Sequence, residues 1–180
     1  SWCAVQGELM TDQKTVGIFG KFPSHGDFVS SGLPPDFVDA WDHWLQQSIL
    51  ASQESLGDSW LQHFLVSPIW RFSIPSGCIN SLSWAGIILP SVDSVGRYYP
   101  LTLVSRVPDH IGVFEYVAAA TGWYEQLEAA AMGTLEKGLT VAELAQDLAQ
   151  LTTALEQPVR EILPLSPQRH QQHAIPLAFP

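Results

Sequence analysis

Ser24, His25 and Asp27 are the nucleophile, base and acid types of a hydrolytic triad, and they fall almost side by side. A working triad needs three side chains that converge in a line, with the acid orienting the base. Neighbours along a turn or strand point in divergent directions. Two readings of the segment follow: a hydrolase using His25 or Asp27, or a hydrogen-bonded turn in which Asp27 satisfies backbone donors. The preceding Gly17-Ile-Phe-Gly-Lys21 run invites comparison with a phosphate-binding loop. That loop places four residues between its glycines and a Ser or Thr after its lysine. Here two residues separate the glycines and Phe22 follows the lysine, so no nest of backbone N–H groups forms. Close packing of strands is the better account of these glycines.

Other polar residues give weaker leads. His170 and His173 lie in a Gln-rich tail without the third and fourth ligands of a competent metal site. His43 and His63 fall in helical stretches with no convincing ligand partner and are read as structural or surface residues. Cys3 and Cys78, the two cysteines, show neither metal-ligand spacing nor a disulfide framework. No metal and no other cofactor is expected. Asp93 and Arg97 carry opposite charges four residues apart in the Ser91-Val-Asp-Ser-Val-Gly-Arg97 link. A fixed, charged loop of that kind serves recognition. Strand alternation sets Arg71 on the face opposite Trp70 and Phe72, either exposed or paired with Asp93, Asp27 or Asp42. For Arg71, Asp93 and Arg97 two roles stay open, an ion-pair network that holds the loop and a recognition surface. Trp70 and Trp84, near strand starts, fit either core filling or interface anchoring.

These residues need a frame, and the apolar pattern supplies one. Val-Gly-Ile-Phe-Gly-Lys reads as a strand from Thr15 onward, Pro23 to Gly26 as a turn, and Phe28 to Ser31 as a second short strand. Phe37, Val38, Trp41, Trp44, Leu45 and Ile49 recur at spacings of three and four, which is one buried helix face, with Pro35 in its first turn. Asp36, Asp39 and Asp42 lie in its first turns, where the helix dipole favours negative charge. Asp58 is a candidate cap for a further short helix through Phe64, stopped by Pro68. Ile69 to Ile74, Ser83 to Leu89 and Tyr98 to Val107 read as three strands whose short links imply antiparallel neighbours. A helical stretch from Gly112 to Met132 follows, then another beginning at Thr140, where Glu143 completes a capping box.

The bulk properties fit one domain. With 180 residues, 46% of them hydrophobic, seven Trp and eight Phe, the chain can bury a sizeable core. No run approaches the roughly 18 apolar residues of a membrane span, and no secretory signal is evident. The formal net charge of -10 argues against nucleic acid or an anionic membrane surface as the main partner. A basic patch on a protein partner is favoured instead. The expected organisation is a leader or disordered segment over 1–13, an α/β domain over 14–163 and a Pro/Gln/His-rich tail over 164–180. Met10 is a candidate start, with the residues before it a leader or a cloning remnant.

Several motifs in order carry a resemblance. They are G-x-x-G-K-x-P from Gly17, G-D-F at Gly26, F-x-x-x-W-D-x-W-L from Phe37, P-x-W-R-F from Pro68 and P-S-V-D-x-V-G-R-Y-x-P-L from Pro90. Over Gly17 to Val107 the chain resembles the TagF (ImpM) family of bacterial type VI secretion-associated proteins. That resemblance implies a longin-like α/β (α+β) domain, a five-stranded and mostly antiparallel sheet flanked by helices in the order ββαβββαα. The chain stops short of the tryptophan-containing end expected of the family, which implies a shortened chain or a divergent tail.

The resemblance also implies a function that residue chemistry does not supply. It points to a non-enzymatic, cytoplasmic repressor of type VI secretion that binds the forkhead-associated scaffold protein Fha, with recruitment to the membrane-associated apparatus. Lys21, Ser24, His25, Asp27, Arg71, Trp84, Ser91, Asp93 and Arg97 are the expected partner-binding residues. They centre on a surface made by the Pro23 to Asp27 turn and the Ser91 to Arg97 loop. The competing readings are a hydrolase and a longin-like adaptor for a small GTPase or another secretion-apparatus component.

Overall fold

Apolar residues in short runs bounded by turn residues produce strands, and the three that lie at the centre of the sheet are covered on both faces. The computed structural model describes residues 15–154. The expectations for 1–13, for the His170 and His173 tail and for the end of the domain lie outside the described residues.

Strands β1 (Gly17–Lys21) and β2 (Phe28–Ser31) form a hairpin. Helix α1 (Pro35–Leu56) follows, then a single 3₁₀ turn and the short helix α2 (Trp60–Leu65). Next come β3 (Trp70–Ile74), β4 (Trp84–Leu89) and β5 (Leu101–Arg106). Helices α3 (Val113–Ala119), α4 (Thr121–Lys137) and α5 (Val141–Ala154) complete the described chain. The five strands form one antiparallel sheet in the order β2-β1-β5-β4-β3.

Alternation divides the core in two. Ile18, Ala85, Ile87, Leu89, Leu101 and Leu103 face α3, α4 and α5, whose Tyr116, Tyr124, Leu127, Leu144 and Leu148 close that layer. Phe19, Trp84 and Val104 face α1 and its Phe37, Trp41 and Leu45. On this side the Trp41 indole donates to Thr102 Oγ1 at 3.0 Å, so a hydroxyl buried in mid-strand is satisfied.

Three local expectations change. Trp44 is 52% exposed rather than core, because the sheet-facing stripe of α1 runs through Phe37, Trp41 and Leu45 and leaves Trp44 on its shoulder, stacked on Trp41. Asp58 caps no helix, since the 3₁₀ turn places it ahead of α2 and no side-chain cap bond forms. The stretch after Gly112 breaks at Ala120 into α3 and α4. The capping box holds: Thr140 N–H donates to Glu143 Oε2 at 2.7 Å, which lowers the Glu143 pKa, and Glu143 N–H donates to Thr140 Oγ1 at 3.3 Å.

Candidate functional site

β1 delivers Lys21 to the end of the sheet, and the chain then turns back, with His25 N–H donating to Phe22 O at 2.9 Å. The β4–β5 connection meets this turn. Its first anchor is Ser91, whose buried hydroxyl donates to Lys21 O at 2.8 Å. The loop closes on itself through Asp93 N–H to Arg97 O at 3.0 Å and Gly96 N–H to Asp93 O at 3.1 Å. Gly96 supplies the positive φ of +86° that this closure requires.

Asp93 is the hub. Its Oδ1 accepts from the N–H groups of Val95 at 3.1 Å and Arg97 at 2.8 Å. Its Oδ2 accepts from Arg97 Nε at 2.7 Å and lies 2.9 Å from Lys21 Nζ. Burial by itself would push this carboxyl up. The hydrogen bonds from the Arg97 backbone, the Lys21 ammonium, the Arg97 guanidinium and the Val95 backbone outweigh it and hold Asp93 well below the usual carboxylate range. The same guanidinium donates through Nη2 to Gly26 O, and Ser94 N–H donates to His25 O at 2.9 Å. Loop and turn are thus locked together.

The aromatic surround completes the unit. Phe28 is 47% exposed, because β2 is an edge strand. The Lys21 ammonium lies 5.2 Å from its ring centroid, and the Tyr99 ring meets it edge-on at 4.8 Å. Beyond the clamp, Val95 is 67% exposed at the loop tip.

The structure therefore brings together Lys21, Ser24, His25, Ser91, Asp93 and Arg97, with Asp27 at the end of the same turn. It does not bring Arg71 or Trp84 to them. Arg71 makes a bidentate pair with Glu128 of α4, at 2.5 and 3.0 Å, and lies over the Tyr124 ring. None of the three expected carboxylates is its partner, because Arg71 faces the α4 side of the sheet whereas Asp42 of α1 lies on the other. Trp84 is buried against Phe37, with its indole donating to Asn80 Oδ1 at 3.1 Å. Glu128 was not legible as the partner of Arg71, since only the packing of α4 on the sheet selects it.

What this arrangement can do chemically is limited. Asp93 has its oxygens saturated, which suits a structural anion and not a proton acceptor. Ser24 Oγ donates to Leu139 O at 3.1 Å, so its 3.0 Å contact with His25 Nδ1 is one in which the imidazole N–H donates. That is the reverse of a base activating a nucleophile. Asp27 Oδ1 accepts from the Phe28 N–H at 2.8 Å rather than orienting His25. Among the described residues no group of three or more His, Cys, Asp or Glu could hold a metal ion.

Fold and site thus define a small antiparallel α/β domain whose fixed loop pair is held by a buried ion-pair hub. A model of the TagF N-terminal domain, type VI secretion system-associated, matches residues 17–151. The chain belongs to the TagF family. It is also similar to the crystal structure of PA0076 from Pseudomonas aeruginosa PAO1, with 43% identity and a TM-score of 0.72. The likeness covers 76% of this chain and 62% of PA0076, so the chain matches less than two thirds of that protein's length. No curated protein sequence matches significantly.

Proposed function

We propose that the chain is a non-enzymatic repressor of a type VI secretion system that acts by binding the forkhead-associated scaffold Fha through the clamped turn and loop. Association with the secretion system rests on the family match. The observation that supports a docking role is the double tie across the loop pair. Arg97 joins Asp93 to Gly26 O while Ser94 joins His25 O, so the segments form one rigid platform instead of two independent loops. A preorganised platform loses little conformational entropy on binding. The exposed Val95 and Phe28 give it apolar contacts, and the exposed Asp27 and Arg97 give it charge. No helix of the described residues is long and apolar enough to cross a membrane.

The test is calorimetric titration of the chain into Fha from the same organism, phosphorylated and unphosphorylated. Saturable binding with a definite stoichiometry, weakened by Arg97→Ala in a chain that keeps its far-UV circular dichroism, supports the reading. Absence of binding in both states of Fha by a folded chain sinks it and leaves an adaptor for another apparatus component.

A further inference from the structure

Helix α1 buries Phe37, Trp41 and Leu45, all in its first half, and from Leu50 to Trp70 no residue is buried. This second half of α1 and the helix after it still form an ordered unit. Trp60 Nε1 donates to Ser52 Oγ at 2.8 Å, and the Trp60 and Phe64 rings stack at 5.0 Å. The Phe64 ring meets Tyr98 at 6.3 Å, tying α2 to the end of the Asp93 loop. Outward from this frame stand Leu50, Leu61, Leu65, Val66 and Trp70, at 50, 38, 53, 75 and 60% exposure. Leu61 and Leu65 are one helical turn apart and share a face. A single exposed leucine is ordinary, but large apolar residues gathered on one segment mark a contact surface.

Charge selects what fits there. Between Lys21 and Arg71 the sequence holds no Lys or Arg, while Asp27, Asp36, Asp39, Asp42, Glu54 and Asp58 fall within it. Both bounding cations are engaged, Arg71 with Glu128 and the buried Lys21 with Asp93, which it shares with Arg97. The segment 50–70 therefore combines exposed apolar side chains with two exposed carboxylates, Glu54 and Asp58, and no Lys or Arg. It repels nucleic acid, anionic lipid and a second copy of itself, and attracts a cationic partner that also carries apolar side chains.

We infer that residues 50–70 form a second docking surface, distinct from the clamped loop pair, that receives a basic amphipathic helix of a partner protein. The apolar stripe of that helix packs on Leu61, Leu65, Val66 and Trp70, and its Lys or Arg residues meet Glu54 of α1 and Asp58 of the turn before α2. The surface does not depend on whether Fha binds the loop pair. Fha binding can fail while this docking persists.

The experiment titrates the full chain into a fluorescein-labelled helical Leu/Lys peptide and, separately, into a Leu/Glu peptide of the same pattern, reading anisotropy. The Leu/Lys peptide binds saturably and the Leu/Glu peptide does not. The Leu61→Lys/Leu65→Lys variant weakens binding about tenfold or more, as expected when a central apolar contact is lost. Val66→Lys, at a still more exposed position, weakens it in the same direction. Phe114→Lys, at an 82% exposed apolar residue of α3, leaves it unchanged. In the NMR spectrum the indole N–H signals of Trp60 and Trp70 move on peptide addition, and that of buried Trp123 does not. Equal binding of both peptides, no binding of the Leu/Lys peptide, or equal sensitivity to Phe114→Lys overturns the inference. So does sedimentation showing that the chain dimerises through Leu61 and Leu65.

Discussion

Lys21 Nζ lies 2.9 Å from Asp93 Oδ2, with the two side chains 7 and 0% exposed. The contact joins the end of β1 to the loop before β5, and Arg97 shares the same oxygen from the outer, half-exposed side. A buried carboxylate with two cations and two backbone N–H donors fixes geometry more than it adds stability, because desolvation offsets much of the Coulomb gain. In the proposed docking role, this hub lets the loop pair keep one shape whether or not a partner is bound.

The pH dependence of stability follows from this hub. Asp93 is held well below its ordinary range in the fold, so the unfolded chain takes up the proton first as pH falls. The contribution of Asp93 is fully present above its unfolded pKa of about 4 and is lost as pH falls from there toward the lower folded value. Asp93→Asn is expected to have a lower urea midpoint than wild type at pH 7. The gap should close on going down from about pH 4, where the wild type loses what the variant never had. A constant gap across that range would show that Asp93 does not titrate differently in the two states.

Gly20 has φ +129°, and a Cβ there would collide with Pro100 O and stand 3.1 Å from Leu101 Cα. Gly20 pairs with Val29 on one side and Leu101 on the other, so the collision falls where three strands meet. Gly20→Ala is expected to cost at least about 2 kcal/mol in chemical denaturation, from backbone strain plus displacement of β5. The glycine that gives this segment its phosphate-loop look is there for strand approach. A neutral effect would reopen that question.

The strands and α1 were legible because each rests on local pattern: Ile18 against Phe19, Leu101 against Thr102, and Phe37, Trp41 and Leu45 at four-residue spacing; helices flanking the sheet came from the family resemblance. The Asp93–Arg97 pair was legible for the same reason, since a closed loop brings i and i+4 together. What could not be read was set by packing between elements distant in sequence. Nothing local marks Glu128 rather than Asp93 as the partner of Arg71, or Lys21 as the second cation on Asp93. Nor does spacing distinguish Trp41 from Trp44, because both lie on the broad apolar side of α1 and only the sheet's position decides which ring it covers.

That distinction is measurable. Phe37 is fully buried between Trp41 and Trp84, with ring centroids at 5.9 and 4.5 Å. Phe37→Ala is expected to cost about 4 kcal/mol, from lost burial and the cavity left behind. Trp44→Ala removes an exposed ring that stacks on Trp41 at 4.8 Å and should cost about 1 kcal/mol. Urea denaturation of both variants checks the order. A loss at Trp44 as large as at Phe37 would mean that its ring is covered in solution.

Two arginines separate the platform from the rest of the sheet. Arg97 binds Asp93 and Gly26 O at the loop pair, whereas Arg71 is held by Glu128 on the α4 side. If the platform docks Fha, Arg97→Ala should weaken binding at least about tenfold, because a charged contact at the centre of an interface is lost along with the tie between its two segments. Arg71→Ala should leave affinity within about twofold, and its effect on stability should be small, since its ion pair is partly exposed. Titrating both variants into the same preparation of Fha decides the point. Equal losses would move the contact surface toward the β3 edge, and a loss at Arg71 alone would exclude the loop pair as the docking site.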